Sequence, residues 1–253
     1  MVNEGKYLYC VIEETSFRSF GPIGIGGRGD DVQTLCYRDL ACVISSSPTT
    51  DYLVSRKNLM SHEKVIEEVM KEYTVLPVRF STVAEGVEDI RRLLAKSSQG
   101  LKNLLRAMDN KVEMGLKVLW RDMDRIFKEI VVADKEIADL NEKLRKKTSP
   151  VSLEEKVALG EAVKHALEAK KEAEAQRIVR VLRPKCTDSR LNETIVDRML
   201  LNGAFLIDRI VEREFDDLVN GLEEKHKDRF QFKFVGPSPP FNFVNLVIRW
   251  REI

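Results

Sequence analysis

Apolar positions recur along this chain with two periods, and each switch between them marks an element. Tyr7-Leu8-Tyr9-Cys10-Val11-Ile12 is an unbroken apolar, aromatic and β-branched run, the pattern of a buried strand. Val32-Gln33-Thr34-Leu35-Cys36-Tyr37 and Leu40-Ala41-Cys42-Val43-Ile44 are separated by Arg38-Asp39, the right length for a tight hairpin turn. From Asp51 to Tyr73 the period lengthens, and Leu59, His62, Ile66, Val69, Met70 and Tyr73 share one face of a helix. Val75-Leu76-Pro77-Val78-Arg79-Phe80 predicts an edge strand, because Pro77 has no donor for a ladder. Gly86 to Asn110 is helical again through Ile90, Leu93, Leu94, Leu101, Leu104 and Leu105, with a stripe broken around Ser97-Ser98-Gln99-Gly100.

The second half carries longer patterns. Val112, Met114, Leu116, Val118 and Trp120 alternate as a strand with one face on a core. Ile126, Ile130, Ala133, Ile137, Leu140 and Leu144 then follow a heptad seam ended by Arg145-Lys146-Lys147. After Thr148-Ser149-Pro150, a second long helix starts either with Pro150 at its first position or with Ser152 and Glu155 as a capping box. It runs to about Leu182, with Leu159, Ala162, Ala166, Ala169 and Ala173 as a stripe of mostly small residues and with Lys170, Lys171, Glu172 and Glu174 on its solvated face. The two helices predict an antiparallel hairpin over 121–183. Glu193 to Ile207 is too evenly apolar for periodicity to separate helix from strand. Asp208 to Lys227 is an amphipathic helix with Ile210, Val211, Phe215, Leu218, Val219 and Leu222 inward, and Arg229 to Val235 alternates as a strand.

Strand, helical hairpin, strand region, helix, strand is the order of a ferredoxin-like sandwich with an enlarged first crossover. The expected architecture is therefore α+β in two domains. Residues 1–110 would form an N-terminal α+β domain, and 111–253 a C-terminal ferredoxin-like α+β domain that includes the long antiparallel helical hairpin 121–183.

Two stretches punctuate these elements. Gly24-Ile25-Gly26-Gly27-Arg28-Gly29 satisfies GxGxxG, but Asp30-Asp31 and a strand follow where a phosphate site needs a helix N-terminus, so a connecting loop is expected. Gly236-Pro237-Ser238-Pro239-Pro240-Phe241-Asn242-Phe243-Val244 has three prolines that fix φ and remove donors. It predicts a stiff corner that leads into a second β-prone run, Asn245 to Trp250, and offers Phe241 and Phe243 for packing. His62 reads as a hydrogen-bonded core group, since His62-Glu63 lacks the second histidine of HExxH.

Composition narrows the function classes. The 253 residues are 43% hydrophobic, enough to fill a core. Charged residues are 33%, yet the formal net charge is +1, which gives no global field for nucleic acid or an anionic membrane. Cys10, Cys36, Cys42 and Cys186 show no metal-ligand spacing and read as buried free thiols, so no metal or cofactor is expected. Met1-Val2-Asn3-Glu4-Gly5-Lys6 leads into a strand with no basic-then-apolar segment, and no apolar run approaches the ~20 residues needed to span a bilayer, so a cytoplasmic location is expected.

Three segments carry a family resemblance. The proline corner resembles the C-terminal signature of the gas vesicle protein F/L family, with Ser238 in place of an aromatic residue and Phe241 in place of tyrosine. His62 followed by Thr74-Val75-Leu76-Pro77-Val78-Arg79-Phe80-Ser81-Thr82-Val83 resembles the family's histidine helix and its Val-Leu-Pro segment, with Ser81 for glycine. Asp197 to Arg209 resembles the family's Met-Leu-Asn-Ala-Ala-Phe-Leu-Val-Asp segment, with Gly203 for alanine.

The resemblance implies a minor structural or assembly protein of gas vesicles, not an enzyme. It implies binding to the hydrophobic shell protein, gas vesicle protein A, limitation of its aggregation during nucleation, and contact with other accessory gas vesicle proteins. Pro239, Pro240, Phe241 and Phe243 are the candidate partner-binding residues. Two alternatives remain at this point: a nucleotide-binding enzyme built on the Gly24 to Gly29 loop with His62, Arg79 or Asp208 as polar participants, and a coiled-coil adaptor acting through Ile126 to Leu182.

Overall fold

The computed structural model describes residues 4–48, 51–146, 152–248 and 250. They form six α-helices and two antiparallel sheets, and the chain divides into two compact units, Met1–Glu113 with Gly236–Ile253, and Met114–Val235.

In the first unit, β1 (Glu4–Glu13) is central to a sheet ordered β2-β3-β4-β1-β5, with β6 (Val83–Ala84) also paired to β1. β2 is Ser19–Gly21, β3 Val32–Tyr37, β4 Leu40–Pro48 and β5 Leu76–Pro77. The unbroken apolar run of β1 is buried residue by residue from Tyr7 to Ile12, as a strand covered on both faces requires. Arg38 takes φ 58° in the hairpin turn between β3 and β4. Helix α1 (Arg56–Met70), capped by Ser55, packs on β1, while α2 (Val87–Met108) covers β1, β3 and β4. α2 runs through Ser97 to Gly100 without a break, and Leu59, expected inward on α1, is 41% exposed. Of the four free thiols, Cys10 and Cys42 are buried, and Cys36 and Cys186 only half-buried.

The second unit holds a sheet ordered β10-β7-β9-β8, to which β7 (Lys111–Trp120) contributes all but its first residues. β8 is Asp188–Leu191, β9 Met199–Asp208 and β10 Phe230–Ser238. The ambiguous stretch before Ile207 is thus strand over β9, where β8 supplies an antiparallel partner. Phe205 of β9, Phe215 of α6 (Glu212–His226) and Phe234 of β10 pack in succession, the first pair tilted and the second stacked, with ring centroids 5.6 and 6.1 Å apart. Gly203 leaves the space that the Phe205 ring occupies, since a Cβ at that position would come within 2.8 Å of the ring as it stands. Ile210, expected inward, is 86% exposed because it lies in a 3₁₀ turn before α6 begins.

The heptad seam from Ile126 to Leu144 is two helices, α3 (Met123–Ala133) and α4 (Lys135–Lys146). Asp134 divides them: its N–H still bonds Ile130 O, while its carboxylate accepts the N–H groups of Glu136 and Ile137 as an N-cap. α5 (Leu153–Leu182) packs against both and begins with the Ser152/Glu155 capping box, whereas Pro150 lies outside the described residues. Its buried face is not the small-residue stripe, since Ala169 and Ala173 are exposed. Leu167, Lys171, Glu174, Ala175, Ile178 and Val179 are buried instead, and two of these were expected in solvent. Asn245 to Trp250 is also not a strand: its one pairing is a single bridge, Leu246 to Val78, and Arg249 lies outside the described residues.

Candidate partner-contact site

In the first unit, period-two spacing places Tyr7 and Tyr9 on one face of β1, and α1 brings His62 against them. The His62 ring stands 5.6 Å from that of Tyr7 and stacks on Tyr9 at 5.8 Å. Its Nε2 lies 3.2 Å from the carbonyl of Val78, which only accepts, so Nε2 carries the proton. Nδ1 then accepts from the Tyr7 hydroxyl at 3.0 Å, and that hydroxyl accepts the Ser81 N–H at 2.9 Å. One relay of donors is satisfied with a neutral imidazole. The ring is 3% exposed, and burial drives its pKa from 6.5 down to about 4. Burial likewise raises Tyr9 to about 12, so the cluster is neutral throughout.

The glycine loop closes one wall of this cluster. Ile25 N–H donates to the Tyr9 hydroxyl at 2.7 Å, Ser45 Oγ lies 2.9 Å from the same oxygen, and Gly26, at φ 87°, leaves room for the ring of Tyr52. An N–H that a phosphate would need is turned inward, and the loop passes through a 3₁₀ turn into β3 rather than into a helix. That geometry suits packing, not nucleotide binding. Of the polar participants of the nucleotide alternative, Arg79 bonds Asn245 Oδ1 at 2.9 Å and Asp208 ends β9 in the other unit.

The proline corner closes another wall. Glu113 holds it: its carboxylate accepts Asn242 N–H at 2.8 Å and Asn242 Nδ2 at 2.5 Å, and its carbonyl accepts the Ser238 hydroxyl at 3.0 Å. Pro239 and Pro240 are buried, Phe243 is 8% exposed, and Phe241 is 38% exposed with its ring 6.3 Å from that of His62. Of the four residues singled out in the sequence, Phe241 is the one that combines an inner contact with an open face. Three turns of sequence signature, His62, the Val78 to Ser81 segment and the corner, therefore meet around one imidazole. Among the described residues no three His, Cys, Asp or Glu side chains group as a metal site, and no helix is long and apolar enough to cross a membrane.

The family model for gas vesicle synthesis protein GvpL/GvpF matches residues 5–245. The chain belongs to the GvpL/GvpF family. It is 27% identical to gas vesicle protein F of Dolichospermum flosaquae over 95% of this chain and 97% of that one, and 28% identical to gas vesicle protein F of a Streptomyces species over 87% and 91%. Its fold is that of the crystal structure of GvpF from Anabaena, with a TM-score of 0.82, 23% identity, and coverage of 97% of this chain and all of that one.

Within this GvpL/GvpF chain, two residues of the signature segments have local consequences. Ser81 takes φ 65°, a left-handed conformation, while its Oγ accepts the N–H of Tyr52 at 2.8 Å. Phe241 has no hydroxyl, so its inner contact is ring on ring. Glu113 was missed by periodicity, because alternation puts it on the polar face of β7, yet it is 6% exposed beneath the corner.

A second polar cluster, in the other unit, was also missed. Arg229 forms a bidentate pair with Glu129 at 2.8 and 2.8 Å and bonds Glu174 at 2.5 Å. Trp120 Nε1 donates to Glu174 at 2.7 Å, and Lys170 lies 3.0 Å from Glu129. The hydrogen bonds from Arg229 hold the Glu129 carboxyl down at about 2. The cluster ties α3, α5 and the start of β10 together.

Proposed function

We propose that this protein is an assembly factor of gas vesicles that binds gas vesicle protein A and limits its aggregation during nucleation. The observation that carries the reading is the family match, which runs through both units from residue 5 to 245. A small shell protein has to expose apolar segments before it assembles, and such segments aggregate unless covered. The first unit offers a matching surface: Leu53, Val54, Leu59 and Met60 are exposed at the entry to α1, and Leu59 lies one turn before His62, on which Phe241 packs. In this reading Pro239, Pro240 and Phe243 act by fixing Phe241, and the protein works by contact in the cytoplasm and at the vesicle, with no catalytic step. Other accessory gas vesicle proteins are its further partners.

The second unit is read as a ferredoxin-like sandwich whose first crossover is enlarged by α3, α4 and α5. The strand order β10-β7-β9-β8 supports this, since it is fourth-first-third-second in chain order.

Co-expression with gas vesicle protein A tests the function. The shell protein is expected to stay in the supernatant and co-purify with the full chain, and a shell protein that precipitates equally with and without the chain would refute the reading.

A further inference from the structure

A groove of about 490 Å³ runs between the last turns of α5 and α6 in the second unit. Its floor is aliphatic and aromatic: Ile178 and Val181 from α5, Leu222 from α6, and Phe230 at the head of β10. Val181 is 42% exposed, so part of this floor faces water. The rim is cationic. Glu129 and Glu174 line one end, but both are committed to Arg229 and Lys170, whereas Arg177 and Lys225 make no ion pair among the described residues. Four cationic side chains, Lys170, Arg177, Lys225 and Arg229, thus stand against two carboxylates.

The spacing repeats on both walls. Arg177 and Val181 are one turn apart on α5, and Leu222 and Lys225 are three apart on α6, so each wall presents one aliphatic side chain beside one cation. The lining comes from the C-terminal halves of both helices, so no helix N-terminus with its free N–H groups, of the kind that holds a phosphate, lines it. Side-chain cations at the ends of long stems suit carboxylates carried on another chain. We propose that this groove docks an acidic amphipathic segment of another protein, with one aliphatic residue set between Val181 and Leu222 and flanking Asp or Glu side chains reaching Arg177 and Lys225. The docking is independent of shell-protein contact through the first unit.

The test uses the full chain and a fluorescently labelled helical peptide carrying leucines one turn apart among glutamates, read by anisotropy. Saturable binding is expected, weakened about tenfold or more by Arg177→Glu with Lys225→Glu and by added salt. Val181→Asp should weaken it with the cations intact, and Arg177→Gln with Lys225→Gln serves if the reversed charges disturb folding. No saturable binding, equal binding of a peptide with serine for leucine, or unchanged binding by the charge variants would each overturn the proposal, as would preferential binding of inorganic phosphate. Co-purification of gas vesicle protein A should be unaffected by these variants, which separates failure here from failure of the assembly role.

Discussion

The two units bury polar groups in opposite ways. Around His62 every group is neutral, each donor meets one acceptor, and the cluster is sealed by loops, with the open faces of Leu59 and Phe241 beside it. Around Arg229 the groups are charged, the side chains of Glu129 and Arg229 keep 29% and 23% exposure, and what reaches the surface is a cationic rim. A neutral relay can be enclosed at the cost of one depressed histidine, whereas a charged cluster stays satisfied only while all its members remain. The first arrangement suits a surface for apolar partners, and the second suits one for charged partners.

Removing one member should break the charged cluster most severely. Arg229→Met leaves Glu129 to Lys170 and Arg125 and leaves Glu174 to Lys170 and the Trp120 N–H, and is expected to cost about 3 kcal/mol, measured by urea unfolding followed through Trp120 emission in a Trp250→Phe background. Acid should separate the clusters next. His62 has a folded pKa of about 4 against 6.5, so the unfolded chain takes the proton first. Its contribution is whole above pH 6.5 and drains away as pH falls to about 4, for a loss of up to about 3 kcal/mol. Glu129, depressed to about 2 from 4.5, contributes above pH 4.5 and is lost as pH falls through 2. Tyrosine emission should therefore report loosening of the first unit at a higher pH than Trp120 reports it for the second, and His62→Phe should flatten the upper window alone.

Smaller changes sharpen the same contrast. Glu113→Gln puts a donor against the amide groups of Asn242 and should cost about 2 kcal/mol, seen as a lower melting temperature. Ser81→Gly releases the left-handed backbone but removes the acceptor for Tyr52 N–H, and the two effects, each about 1 kcal/mol, should nearly cancel. Ser81→Ala keeps the strain and loses the acceptor, so it should be the less stable of the pair.

Elements were legible where a single period ran its length. β1, α2 and α6 follow from their own residues, and the Ser152/Glu155 cap from two side chains. The break at Asp134 also had a local sign, an N-cap residue in the middle of a seam, which the unbroken heptad count concealed. Lys171 and Glu174 had none: a charge run on a helix looks solvated, and the partners that bury Glu174, Trp120 and Arg229, lie 54 and 55 residues away. Asn245 to Trp250 is β-prone in composition, but strand formation needs a neighbour, and Val78 supplies only one bridge. The proline corner was conspicuous for its constraint, while its clamp, Glu113, is invisible until β7 and the corner are placed together.

The most direct test of the assembly account is recovery of soluble gas vesicle protein A with the full chain, beside the variant Leu59→Asp with Phe241→Asp. The two side chains are 41% and 38% exposed, and the circular-dichroism spectrum and melting temperature of the variant establish that it is folded before recovery is compared. The account predicts that the shell protein co-purifies with the unaltered chain and that recovery falls about tenfold with the variant. Equal recovery with the two chains would contradict it.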